Sequence, residues 1–184
     1  MASAITAYGV IVAMRPPDRE HRFGHGKAES LAALAQSIFI SLSALALLHE
    51  SAMRFIAPQP IENTDYGYKV MAFAIVLTSV LVALQTYTVR RTGSLAIASD
   101  RLHYIGDIFV GIAVMATFAL QAQFDVMWLD PFFAVLIAAV LFVGAFKIGR
   151  LSLKVLMDAE LPTKERKKII ALMDKVRGVR GVHD

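Results

Sequence analysis

A chain of 184 residues that is 57% hydrophobic and 18% charged, with mean hydropathy +0.57, lies on the membrane side of soluble-domain composition. Cysteine is absent, which excludes disulfides and thiolate metal sites and leaves histidine and carboxylate to hold any metal. The net charge of +4 and pI near 9.5 do not point to nucleic acid, because the basic residues fall in short blocks between apolar runs.

In chain order, Ala2–Met14 is apolar for thirteen residues before Arg15 and the Pro16–Pro17 pair. It has no basic stretch ahead of it and no small-residue cleavage pattern, so it does not read as a secretion signal. It is about half of a bilayer crossing and is expected to be a spanning helix whose first turns are missing. Leu31–Leu48 and Val70–Val89 give eighteen and twenty residues without a charge. Leu102–Phe124 gives twenty-three, interrupted by His103 and Asp107; Val126–Phe146 gives twenty-one, interrupted by Asp130. Each of these four meets the roughly 17–25 residues that a crossing requires.

The connections alternate in sign. Arg15, Arg19, Arg22 and Lys27 follow the first segment, and Arg90, Arg91 and Arg101 follow the third. Lys147, Arg150, Lys154 and the cluster Lys164–Lys168 follow the last. The other two connections carry Glu62, Asp65 and Asp125 and no basic residue. The positive-inside rule therefore predicts that the basic loops and the C-terminus are cytoplasmic. Beyond the membrane, Leu161-Pro162-Thr163 opens a charged helix, with Thr163 a candidate cap and Ile169, Ile170, Met173 and Val176 an apolar stripe. Gly178 and Gly181 break it, and Val179 and Val182 read as the beginning of a strand.

Ionisable side chains in a membrane segment are costly, and each is a candidate functional residue. His103 and Asp107 are four apart, so a helix puts them on one face within reach of one ion. An imidazole with a carboxylate suits Zn²⁺, Mn²⁺ or Fe²⁺. The spacing leaves open a second reading, a His–Asp hydrogen bond that packs two helices. Asp100, near the Arg90–Arg101 boundary, is read as a solvated cap at the cytoplasmic mouth. Asp18, His21 and His25 give carboxylate, imidazole and imidazole at spacings of three and four. Gly24 and Gly26 free the backbone to wrap an ion, although a polar loop with incidental histidines fits the same pattern. His49, Glu50 and Arg54 read as interfacial anchors at the outer end of their helix.

Three runs carry a resemblance. His21-Arg-Phe-Gly-His25-Gly-Lys27-Ala-Glu29 resembles the loop between transmembrane helices two and three of bacterial cation diffusion facilitators. Ser99-Asp100-Arg-Leu-His103-Tyr-Ile-Gly-Asp107 resembles the start of their helix five, and Val179-Arg-Gly-Val-His183-Asp184 the approach to their cytoplasmic domain. The implied fold is an all-α membrane protein, holding helices two to six of a six-helix bundle with the first one partial. The start of an α/β cytoplasmic domain follows. Boundaries are expected at 1–158 for the transport domain and 159–184 for the cytoplasmic opening.

The resemblance makes His103 and Asp107 half of a tetrahedral transport site, and Asp18, His21 and His25 a second metal site. His183 matches a ligand in the cytoplasmic domain, and Lys27 with Asp158 a charged pair that helps to hold a dimer. It implies a homodimeric antiporter of the bacterial inner membrane, not an enzyme, that exchanges Zn²⁺, Fe²⁺, Cd²⁺ or Mn²⁺ for protons. The family completes its site with a D-x-x-x-D pair on helix two, and Ala2–Met14 contains no acid. Aligned on the loop, that pair falls before Met1, so the chain is expected to be truncated at both ends and inactive by itself. A structural or regulatory membrane fragment is the alternative. An intramembrane metallohydrolase fits less well, since the sequence has no H-E-x-x-H pair.

Overall fold

The computed structural model describes residues 2–56, 65–124, 128–160 and 163–176, and it is all-helical over them. The elements are α1 (Ala2–Ala13), α2 (Lys27–Ile56), α3 (Asp65–Thr92), α4 (Leu95–Phe124), α5 (Leu129–Leu156) and α6 (Thr163–Met173). Glu62, Asp125, His183 and the strand expected at Val179–Val182 lie outside the described residues.

Every apolar run folds as a helix because a backbone surrounded by hydrocarbon must satisfy its own N–H and C=O groups. Among the described residues, three helical stretches are long and apolar enough to cross a membrane by themselves: Lys27–Ile56, Lys69–Thr92 and Leu129–Leu156. The helices outrun their apolar stretches. Helix α2 starts at Lys27 rather than Leu31 and ends at Ile56 rather than Leu48, and α5 continues to Leu156. Thirty residues rise roughly 45 Å against about 30 Å of hydrocarbon, so the charged turns at each end lie in the interfacial layers.

The helices run up and down. Helices α2 and α5 are antiparallel: Lys27 Nζ meets Asp158 Oδ2 at 2.7 Å at one end, and Arg54 Nη1 meets Asp130 Oδ2 at 2.7 Å at the other. Between these ends the Ser51 hydroxyl donates to the Pro131 carbonyl at 2.6 Å. Gly149 packs on Ser37 so closely that a Cβ would stand 2.8 Å from its Oγ. Helix α4 is antiparallel to α5 through Gly106 against Leu141 and Gly144 against Leu102. Gly9 brings α1 onto Ala32 of α2, where an added methyl would collide with the alanine. The tight centre consists of Ala32, Ala33 and Ala96, packed by Ile5, Val10, Leu95 and Ile148. Small residues at these crossings suit a bilayer, where close backbone approach rather than water exclusion holds helices together.

Helices α3 and α4 meet in a minimal turn. Gly93 has φ +70° and donates its N–H to the Val89 carbonyl at 2.8 Å, ending α3 in the left-handed conformation that glycine accepts. Ser94 then caps α4, its Oγ accepting the Ile97 N–H at 3.2 Å. Arg90 and Arg91 occupy the last turn of α3, where positive charge complements the helix dipole. Outward residues of α3 such as Val70, Phe73, Val76 and Leu84 remain exposed and form its lipid-facing surface. The stripe predicted beyond the membrane is present as far as Met173, where α6 ends; Val176 lies past it. Ile169 and Met173 stay exposed, and among the described residues α6 packs against no other helix.

Candidate metal centres

The loop between α1 and α2 is built around one carboxylate. Asp18 Oδ1 accepts the backbone N–H groups of Glu20 at 2.9 Å and His21 at 2.6 Å, the local turn that short acidic side chains form. The His21 ring nitrogen Nδ1 lies 3.2 Å from the same oxygen, and His25 Nε2 lies 3.3 Å from Asp18 Oδ2. Gly24, at φ +81°, reverses the chain and donates its N–H to the His21 carbonyl at 2.9 Å, which returns His25 to the carboxylate. Gly26 has no such backbone demand; of the two glycines, the turn depends on Gly24. The imidazoles stand 4.4 Å apart, and one ligand atom from each of the three residues lies within 4.8 Å of the others. Among the described residues this is the one group of three or more potential ligands so placed.

Chiefly because the His21 backbone N–H bonds it, and with help from Glu20 and the His21 ring, the Asp18 carboxyl is held below its ordinary value. It is ionised across the physiological range. His25 is the least exposed of the three at 14%, with Nδ1 buried and accepting no partner in the protein. Two imidazoles and one carboxylate make an N/O set for a borderline divalent ion, and three protein ligands leave a fourth position for water.

In the membrane, α4 places His103 Nε2 3.8 Å from Asp107 Oδ2 with both side chains part-exposed. This supplies two ligands. A closed tetrahedral shell takes four, and among the described residues no further histidine or acid comes within bonding reach of the pair.

Asp100 departs from the sequence-based expectation. It is not a solvated cap: only 5% exposed, it lies among α1, α2, α3 and α4. Ser3 Oγ donates to its Oδ1 at 3.0 Å, Gln36 Nε2 to Oδ1 at 3.4 Å and Gln85 Nε2 to Oδ2 at 2.8 Å. The Tyr104 hydroxyl joins through Ser3 at 2.7 Å. No local signal could have found this knot, whose partners are 97, 64 and 15 residues away. Arg54 is more than an interfacial anchor, since it bridges Glu50 at 3.2 Å and Asp130 at 2.7 Å. Lys27 and Asp158 pair within the chain, and Asp158 takes a left-handed φ of +53° to face the lysine.

These features define a bundle of membrane helices that carries an imidazole–carboxylate pair on one helix and a three-ligand cluster on an adjoining loop. Residues 1–157 match the cation efflux transmembrane domain, and the chain belongs to that family. Its similar proteins include the cation-efflux pump FieF of Shewanella oneidensis, 44% identical over 186 residues. The pumps of the same name from Yersinia enterocolitica and Klebsiella pneumoniae are 39% and 38% identical over 183 and 185 residues. All of this chain is covered in each comparison, but it spans only 62%, 61% and 61% of those proteins' lengths.

Proposed function

We propose that the chain forms the larger part of the membrane pathway of a divalent-cation exporter that exchanges its cargo for protons. The observation that carries this reading is the His103–Asp107 pair, four residues apart on α4 at 3.8 Å, inside the segment that matches the cation efflux domain. A neutral imidazole and an ionised carboxylate bind the cation, and protonation of either ejects it, so an acidic far side favours release. Zn²⁺ fits the ligands best, with Fe²⁺, Cd²⁺ and Mn²⁺ permitted. The pair supplies two of the four ligands that a closed tetrahedral shell takes. By ligand count, the pair by itself binds a cation weakly.

In this reading Asp18, His21 and His25 hold a second ion at the cytoplasmic face, and His183 belongs to a third site in a domain that opens at residue 159. The complete protein is a homodimer in a bacterial inner membrane with its C-terminus in the cytoplasm. The Lys27–Asp158 pair braces the cytoplasmic ends of α2 and α5 where the two copies meet. The exposed apolar stripe of α6 supports a further packing partner.

The test grafts residues 1–184 into the Shewanella pump in place of its matching segment and measures Zn²⁺ uptake into inside-out vesicles under an imposed pH gradient. The chimera should take up zinc, and Asp107→Asn or His103→Ala should each abolish uptake. Gradient-driven uptake that survives both substitutions refutes the assignment.

A further inference from the structure

We propose that Asp100, together with the side-chain amides of Gln36 and Gln85, is a second intramembrane cation site: an oxygen-only way-station one helical turn from His103. It takes a divalent cation that keeps part of its hydration shell. The proposal deepens the transport reading and rests on it.

Three observations support it. The first is charge. Asp100 is almost wholly buried, yet its bonds come from a hydroxyl and two amides, all neutral. Among the described residues no lysine, arginine or histidine reaches it; the neighbouring Arg101 guanidinium turns instead to Thr86 Oγ1 at 3.4 Å. Buried carboxylates are ordinarily paired with a cation or bound to a metal.

The second is an excess of acceptors. Gln36, 0% exposed, and Gln85 each turn an amide nitrogen to Asp100, while both amide oxygens are shut from solvent and accept nothing in the protein. Buried acceptors without partners call for an explanation, and an ion is one. A half-turn of each amide exchanges nitrogen for oxygen. The groups that steady the bare carboxylate as donors then become ligands for an ion resting on it. With the Ser3 hydroxyl this makes a set of hard oxygens, which bind a divalent ion while leaving water in its shell.

The third is position. Residues three apart on a helix stand about 5–6 Å apart at Cβ, so an ion at Asp100 can pass to His103 without crossing hydrocarbon. Asp100 also lies nearer the start of α4, the end at which Lys27, Arg90 and Arg91 gather. A single carboxylate holds a divalent ion less firmly than a site with more charged ligands, which suits a site that must hand its ion onward.

The experiment uses the 184-residue chain in lipid nanodiscs with His21→Ala and His25→Ala, so that the loop site is removed. Terbium(III), a hard oxygen-seeking ion, is titrated in and read through emission sensitised by Tyr104, whose hydroxyl lies 2.7 Å from Ser3 Oγ. Sensitised binding should persist in His103→Ala and weaken at least about tenfold in Asp100→Asn. Asparagine preserves the knot, since it can accept from Ser3 and Gln36 and donate to a turned Gln85, so a loss reports charge rather than unfolding. Gln85→Glu, which adds a carboxylate of matched size, should tighten terbium about tenfold. Unchanged affinity in either variant, or equal loss in His103→Ala, overturns the proposal and leaves Asp100 as a structural tie among four helices. The transport reading fails on a different result: Zn²⁺ binding in the same background that is unaltered by His103→Ala with Asp107→Asn.

Discussion

At the loop site the geometry fixes how many protons an incoming zinc ion must displace. Asp18 is already ionised, because the His21 and Glu20 amides hold its carboxyl below the ordinary range. It competes with protons only in strong acid. His21 and His25 are the two remaining ligands within 4.8 Å, and each imidazole must be neutral to bind. Zinc affinity should therefore fall as the solution is acidified, and less steeply in His25→Ala, which keeps one imidazole. The measurement is competition against a chromophoric zinc indicator at three pH values, in a His103→Ala, Asp107→Asn background. A pH dependence that His25→Ala does not reduce would refute the geometry. Retained zinc stoichiometry in His21→Ala with His25→Ala would refute the site.

Three further outcomes are expected. Gly93→Ala puts a side chain at φ +70° in the α3–α4 turn and should cost about 1 kcal/mol in reversible unfolding from mixed micelles; no loss of stability would be inconsistent with the strain argument. Lys27→Ala removes a pair whose side chains are 55% and 77% exposed, so chain stability should change by less than about 1 kcal/mol. A loss of dimer out of proportion to that, recovered by the charge-swapped Lys27→Asp, Asp158→Lys chain, would assign the pair to the dimer. Since the sequence has no cysteine, single cysteines at positions 22 and 91 should react only with reagent on the cytoplasmic side, and labelling from outside would reverse the topology.

The helices were legible because uninterrupted apolar runs have few alternatives in hydrocarbon. Their ends were not, since residues 27–30 and 147–156 continue the helices although hydropathy alone treats them as loop. His103 and Asp107 were visible as a pair because helical spacing is local. Asp100 was misplaced because its sequence neighbours, Arg90 and Arg101, suggest a wet boundary, whereas its environment is set by Ser3, Gln36 and Gln85 on three other helices. Glutamine attracts little notice in a sequence read for charge, yet here two glutamines solvate a buried carboxylate. The pairing of Arg54 with Asp130, 76 residues apart, was hidden for the same reason.

The two-residue turn at Gly93 and Ser94 has a mechanical consequence. With Gly93 bonded back to Val89 and Ser94 capping Ile97, there is no slack at that end between α3 and α4. A displacement of α4 at that end is passed by the turn to α3, whose outward residues are exposed. At that end the two helices are therefore expected to move as one body rather than to slide past each other.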